Sequence, residues 1–243
     1  MIAMIPLLMV WSFLLYKYPK YRQTFLVAGF FSGTVGHISV LLMFRYDWWQ
    51  PISFMGNQIT TLEDLILAGT NAGLVLIAWP LLTGIDYSET LKLSKKTLMQ
   101  FVMWWLINLL FVYSLYLLGV HSFFASIIVY GIFISTVYMK RFDLIIPSFL
   151  SATIVTLGTI PFYVVIQWLN NSYAVSHYHL DKLIGATFLN IPIEDFVWYF
   201  SVNLLLAVSY HFIFETKFED KKLSRSSTIK SIKNLFSLKK INE

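Results

Sequence analysis

Seven long apolar runs constrain this chain more than any other feature. They fall at about Met1–Tyr16, Phe25–Phe44, Leu62–Leu82, Leu98–Leu118, Val120–Tyr138, Leu144–Leu169 and Ile191–Phe214. Most reach the roughly 20 residues that a helix needs to cross a bilayer. In lipid every backbone amide must be paired within its own segment, so runs of this kind are helices. Charged residues make up 13% of the chain, against about 25% in soluble domains. The expected fold class is all-α: a polytopic membrane protein of about seven transmembrane helices.

The basic residues orient those helices. Lys17, Lys20 and Arg22, then Lys92, Lys95 and Lys96, then Lys140 and Arg141 fall on one side, together with the lysines and arginine of the segment beyond Glu215. Arg45 and Lys182 alone, of 18 basic residues, fall on the other. By the positive-inside rule this gives N-out, C-in topology, and a multi-pass protein of a prokaryotic plasma membrane. The pI near 9.2 then reflects membrane orientation, and no nucleic-acid partner is expected. The first run has its basic residues behind it, the reverse of a cleaved signal peptide, so it reads as a retained helix. Residues 215–243 form a basic cytoplasmic tail, with Ile229, Ile232, Leu235 and Phe236 at helical spacing. Such a tail either lies on the anionic leaflet or is solvated. There is no cysteine, so disulfides, thiolate metal sites and cysteine nucleophiles are excluded.

Four of the acids fall at membrane depth or its edge: Glu63, Asp64, Glu194 and Asp195. They come as two pairs, in TLEDLILAGTNAGL and PIEDFVWYFSVNLL, and each pair opens a helix entering from the outer face. This predicts a parallel internal repeat of about three helices within a membrane domain spanning 1–214. Its halves are about 1–83 and 120–214, with 97–118 as connector. On helical spacing Asp64 shares a face with Asn71, and Glu194 with Ser201; Asn71, Ser201 and Asn203 are the polar candidates for substrate contact along these helices. Carboxyls brought together in a dry space cannot all ionise, so at least one is expected to keep its proton. The plain alternative is that the acids cap helix N-termini, which Pro192 favours. Gly29, Gly33 and Gly36 in the second helix are expected to serve close helix packing.

The loops on the same face supply Asp47, Trp48, Trp49, His177, Tyr178, His179, Asp181 and Lys182. Interface anchoring explains the tryptophans adequately. The spacing of His177, His179 and Asp181 matches no zinc motif, so no metal is assigned.

The second half resembles the small integral-membrane lycopene cyclase domain family. The resemblance runs from Tyr178 through Ile184-Gly185 to Pro192-Ile193-Glu194-Asp195 and the aromatics after it. It is similar to a family pattern of Pro-x-Glu-Glu followed by Phe-Phe, here a divergent version with Asp195 and Trp198-Tyr199. YDWWQPISF and LEDLILAG look like the first-half counterpart, without the proline. The resemblance implies a redox-neutral, proton-initiated cyclisation of a carotenoid end group, with a lipophilic isoprenoid substrate and no cofactor. It implies Glu194 as proton donor, Glu63 as its counterpart, and Asp64 and Asp195 as counter-charge or base. Trp198, Tyr199, Phe200, Trp48 and Tyr178 would contact substrate, and Pro192 and Gly185 would shape the motif.

Other classes fit less well. Retinal proteins need a lysine within the bundle, and no span holds one. Membrane prenyltransferases need Asp-rich motifs, and flavin or nicotinamide enzymes a glycine fingerprint; neither occurs. The rival left standing is a non-enzymatic carotenoid- or lipid-binding bundle, or a proton-coupled transporter using the same acid pairs. Membrane lipid is a partner on any reading, and a homo-oligomer stays open.

Overall fold

The structure is a computed structural model that describes residues 4–49, 62–89 and 92–218, apart from the side chains of residues 4, 6 and 62–64. The expectations for the tail beyond residue 218 and for the stretch 50–61 lie outside the described residues. The chain is mostly helical, as its apolar runs require. In order come α1 (Met4–Lys17), α2 (Arg22–Ser39), α3 (Arg45–Asp47), α4 (Leu62–Thr83), α5 (Lys95–Leu117), α6 (Ser122–Lys140), α7 (Ile145–Leu169), α8 (Tyr173–His177) and α9 (Ile193–Ile213). Six of these segments are long and apolar enough to cross a membrane. The first helix, with 14 residues, is a shorter apolar element.

Two helices form the centre. α4 packs against α1, α2, α7 and α9, while α9 packs against α4, α5, α6 and α7. These are the two helices whose first turns carry the acid pairs. Both finish at the same end of the bundle, because the short strands β1 (Tyr87–Ser88) and β4 (Lys217–Phe218), which follow them, pair antiparallel. A polar lattice holds that end together. Glu89 accepts hydrogen bonds from Thr24 and Tyr210, and Lys20 and Tyr21 both bond Asp86.

The α2–α4 crossing is backbone to backbone. A Cβ on Gly33 would lie 2.7 Å from the Leu65 carbonyl oxygen, and one on Gly29 3.0 Å from that of Gly69. Gly29 and Gly33 therefore do the packing work expected of them. Past Ser39 the second helix widens into a π-helical turn, Val40–Phe44, a feature often found beside functional sites. α5 and α6 are joined by a tight turn in which Gly119 adopts φ +87°, a conformation glycine takes without a Cβ clash.

Candidate active site

The acid pair of α9 is delivered by an unusual approach. Gly185 sits at φ +85°, and Leu189 and Asn190 both have positive φ. Those two residues turn the hairpin in which β2 (Thr187–Phe188) pairs with β3 (Ile191–Pro192). Two consecutive positive-φ residues give the primed twist that suits a two-residue hairpin. Pro192 is the N-cap of α9 and no side chain caps this helix. The two acids therefore do not serve as side-chain caps of their own helix, and each finds a partner elsewhere.

Glu194 is 1% exposed. Its Oε1 accepts the Ile184 amide at 2.6 Å, and its Oε2 has no protein partner. This carboxylate ties the hairpin segment down onto α9. Asp195 faces another way: its Oδ2 accepts a hydrogen bond from the Tyr163 hydroxyl of α7. Consecutive helical residues point about 100° apart, so adjacent acids meet different surroundings.

Asp195 and Tyr163 line a cavity of about 570 Å³ between the two halves of the chain. Such a volume lies in the range of small-molecule sites. Aromatic rings crowd the cavity around the acid. Trp48 and Trp198 meet edge to face at 5.4 Å, and Trp198 and Tyr199 at 5.5 Å. Phe44 lies 5.2 Å from Trp48 and 5.8 Å from Trp198. A carboxyl among π faces in an apolar enclosure can release a proton and stand beside a cation, since ring quadrupoles attract positive charge.

The expected site residues divide between cavity and periphery. Asp195, Trp48, Trp198, Tyr199 and Asn71 line the cavity. Tyr178 is buried just beyond it, and burial followed by the Asp195 carboxylate pushes its phenol well above the ordinary range. Glu194 is not among the lining residues. Phe200 packs against Phe149 at 5.3 Å, Ser201 donates to the Val197 carbonyl of its own helix, and Asn203 bonds Thr156 at 3.3 Å. None of these three lines the cavity. Glu63 and Asp64 fall in the first turn of α4, but their side chains lie outside the described residues.

The loops meet over this end of the bundle. Trp49 forms a β-bridge with Tyr178, the His179 amide donates to the Trp48 carbonyl at 3.1 Å, and Lys182 reaches the Tyr46 carbonyl at 2.8 Å. Asp47 accepts both the amide and the hydroxyl of Ser122, at 2.7 and 2.5 Å, at the start of α6. The histidine rings are engaged locally: His177 with the Tyr173 carbonyl, His179 with that of Arg45. Desolvation holds His177 below its ordinary range, that carbonyl opposing it. Among the described residues no group of three His, Asp or Glu is placed to hold a metal ion.

Sequence reasoning missed Tyr163. Its only signal was a phenol within the apolar run of the sixth helix, two residues after Pro161, a place where a polar group needs a partner. Tyr130 and Trp105, which also line the cavity, carried no signal that set them apart from ordinary core aromatics.

Comparison with known proteins bears on the second half. The lycopene cyclase family model matches residues 121–213. That stretch begins at the N-cap of α6 and ends with the last residue of α9, and it includes Tyr163, Tyr178, Glu194, Asp195 and Trp198. No curated protein and no solved structure matches the chain.

Proposed function

We propose, from the premise that residues 121–213 are the lycopene cyclase domain of a divergent member of that family, that this chain cyclises the end group of a linear, lycopene-type carotenoid. The observation that carries the reading is the Asp195 carboxyl, bonded to Tyr163 and facing an aromatic-walled cavity. The chain would act as a multi-pass protein of a prokaryotic plasma membrane, drawing its substrate from the lipid.

The chemistry balances without a change of oxidation state. Asp195 gives its proton to the terminal double bond, which leaves a tertiary carbocation. A second double bond along the chain donates its π pair, closing a six-membered ring and moving the charge to another tertiary carbon. Loss of a proton from a neighbouring carbon restores an alkene, and the Asp195 carboxylate receives it. One proton enters and one leaves, so the product is an isomer of the substrate.

Each residue has a task in this sequence. Tyr163 donates to Oδ2, which leaves Oδ1 to carry the transferable proton and steadies the carboxylate once that proton is gone. Trp48, Trp198 and Tyr199 offer their faces to the cation and keep water away from it. Glu194 is a positioning residue: it fixes the segment before α9 through Ile184 and so sets where Asp195 points. This moves the donor role from Glu194, expected from the sequence resemblance, to its neighbour.

The test is expression in a bacterium that accumulates linear lycopene, with products resolved by chromatography. Cyclic carotenoid should form with the wild-type chain and disappear with Asp195→Asn at equal protein level. Absence of any cyclic product from well-expressed wild-type protein would instead favour a non-enzymatic binder or carrier.

A further inference from the structure

Between α7 and α9, outside the spans, the chain turns apolar side chains outward. Ile184, Phe188 and Leu189 are 66%, 49% and 40% exposed. None of them lines the cavity, so a molecule held there would not cover them. Leu189 is also disfavoured where it stands. It occupies a turn position at φ 53°, where a turn facing water ordinarily has Gly, Asn or Asp. The tip of the hairpin thus carries an apolar side chain against the local preference of the backbone.

The hairpin is laid along α9 rather than away from it. The Ile184 amide donates to Glu194 at 2.6 Å, and the Ile193 amide donates to the Ala186 carbonyl at 3.0 Å. The Phe188 ring meets Phe196 edge to face at 5.6 Å. α9 is long and apolar enough to span the membrane from Ile193 onward. At the helical rise per residue Phe196 lies about 4.5 Å past that start, so Phe188 packs level with the span and not beyond its end.

The exposed side of the span begins at the same place. Ile193 and Val197, one turn apart on one face, are 43% and 42% exposed. Ile184 is bonded to the residue after Ile193, and Phe188 rests on the residue before Val197. The backbone of the hairpin suits this depth. β2 and β3 pair with each other, and the amides of Ile184 and Ile193 both have acceptors; unpaired amides would be unfavourable among acyl chains. Asp181 and Lys182, just upstream, are exposed charges that belong on the water side.

We propose that the hairpin segment, residues 184–192, is a wedge seated among the lipid acyl chains of the leaflet at this end of the bundle. Its surface continues the lipid-facing side of α9, and its partner is membrane lipid. Glu194 holds this segment and Asp195 follows directly, so the wedge sets the depth of the acid at the border between headgroups and hydrocarbon. This inference is independent of what the cavity binds.

The chain has no cysteine, so a single introduced cysteine can carry a nitroxide without background. Ile184→Cys and Leu189→Cys are labelled separately in the full chain in lipid nanodiscs. Val197→Cys is the lipid-facing reference and Asp181→Cys the water-facing one, and melting of each labelled chain checks that it is folded. Relaxation of the label by oxygen, which partitions into acyl chains, is compared with relaxation by a water-soluble nickel complex. At positions 184 and 189 oxygen should act more strongly than nickel, as at 197, and the reverse should hold at 181. Stronger relaxation by nickel at 184 and 189 would place the hairpin in water and overturn the proposal. Protection from both reagents would overturn it too, since a protein surface, from this chain or a second copy, would then cover the hairpin. A split between the two positions would break the continuous surface and with it the wedge.

Discussion

The Glu194 carboxylate accepts the Ile184 amide at 2.6 Å, ten residues back along the chain. Its neighbour Asp195 turns to Tyr163 and the cavity instead. One acid of the pair holds a loop, and the other faces the space in which chemistry would occur.

That division gives the first prediction. Glu194→Gln keeps an oxygen for the Ile184 amide, so cyclic product should stay within about threefold of wild type. Glu194→Ala removes the acceptor of the Ile184 amide, a net loss of about 0.5–1.5 kcal/mol, and should loosen residues 184–192. Hydrogen exchange of that segment and melting in detergent measure the effect. Complete loss of product in Glu194→Gln at normal stability would return the donor role to Glu194.

Tyr163→Phe removes one hydroxyl and little volume. The Asp195 carboxyl would keep its place but lose the donor on Oδ2. Product formation is expected to fall by about 100-fold, the lower end of what positioned acid–base groups contribute. Protein yield should change little. A variant that cyclises at the wild-type rate would remove Tyr163 from the mechanism.

Much of this arrangement was legible in the residues. Apolar run lengths marked the helices, and the glycines of α2 announced a close helix crossing, whose partner only the structure names as α4. The two ED pairs marked the helices that became the centre of the bundle. Which acid faces the cavity was not legible. Glu194 and Asp195 differ by about 100° of helix rotation, and that rotation is set by the hairpin and its positive-φ residues, Leu189 and Asn190. A leucine at φ 53° is a choice that turn propensity disfavours. Tyr163 was illegible for a related reason: an aromatic in an apolar span reads as core until its hydroxyl's partner is known. Phe200 erred in the other direction, since adjacency to the acids along the chain placed it against Phe149 rather than in the cavity.

The α2–α4 crossing supports a stability prediction with an internal control. Gly33→Val would place a Cβ against the Leu65 backbone, where a side chain cannot give way. A loss of about 1–3 kcal/mol or more is expected from such overpacking. Gly158→Ala should be close to neutral, because nothing lies within 4 Å of the added Cβ. Thermal unfolding of the two variants in the same detergent compares them directly.

The orientation of the bundle is open to a chemical test, because the chain has no cysteine. Single cysteines then report their own side of the membrane. Lys182 belongs to the segment that bonds Tyr46 over the cavity end, and Lys92 to the end at which Glu89 meets Tyr210. With the basic residues gathered inside, Lys182→Cys in intact cells should react with a membrane-impermeant maleimide. Lys92→Cys should react only after the cells are opened. The cavity and Asp195 then lie near the outer leaflet, and a carotenoid would present its reacting end group there. The reverse labelling pattern would invert the bundle, place the acid near the inner leaflet, and leave the basic residues unexplained by orientation.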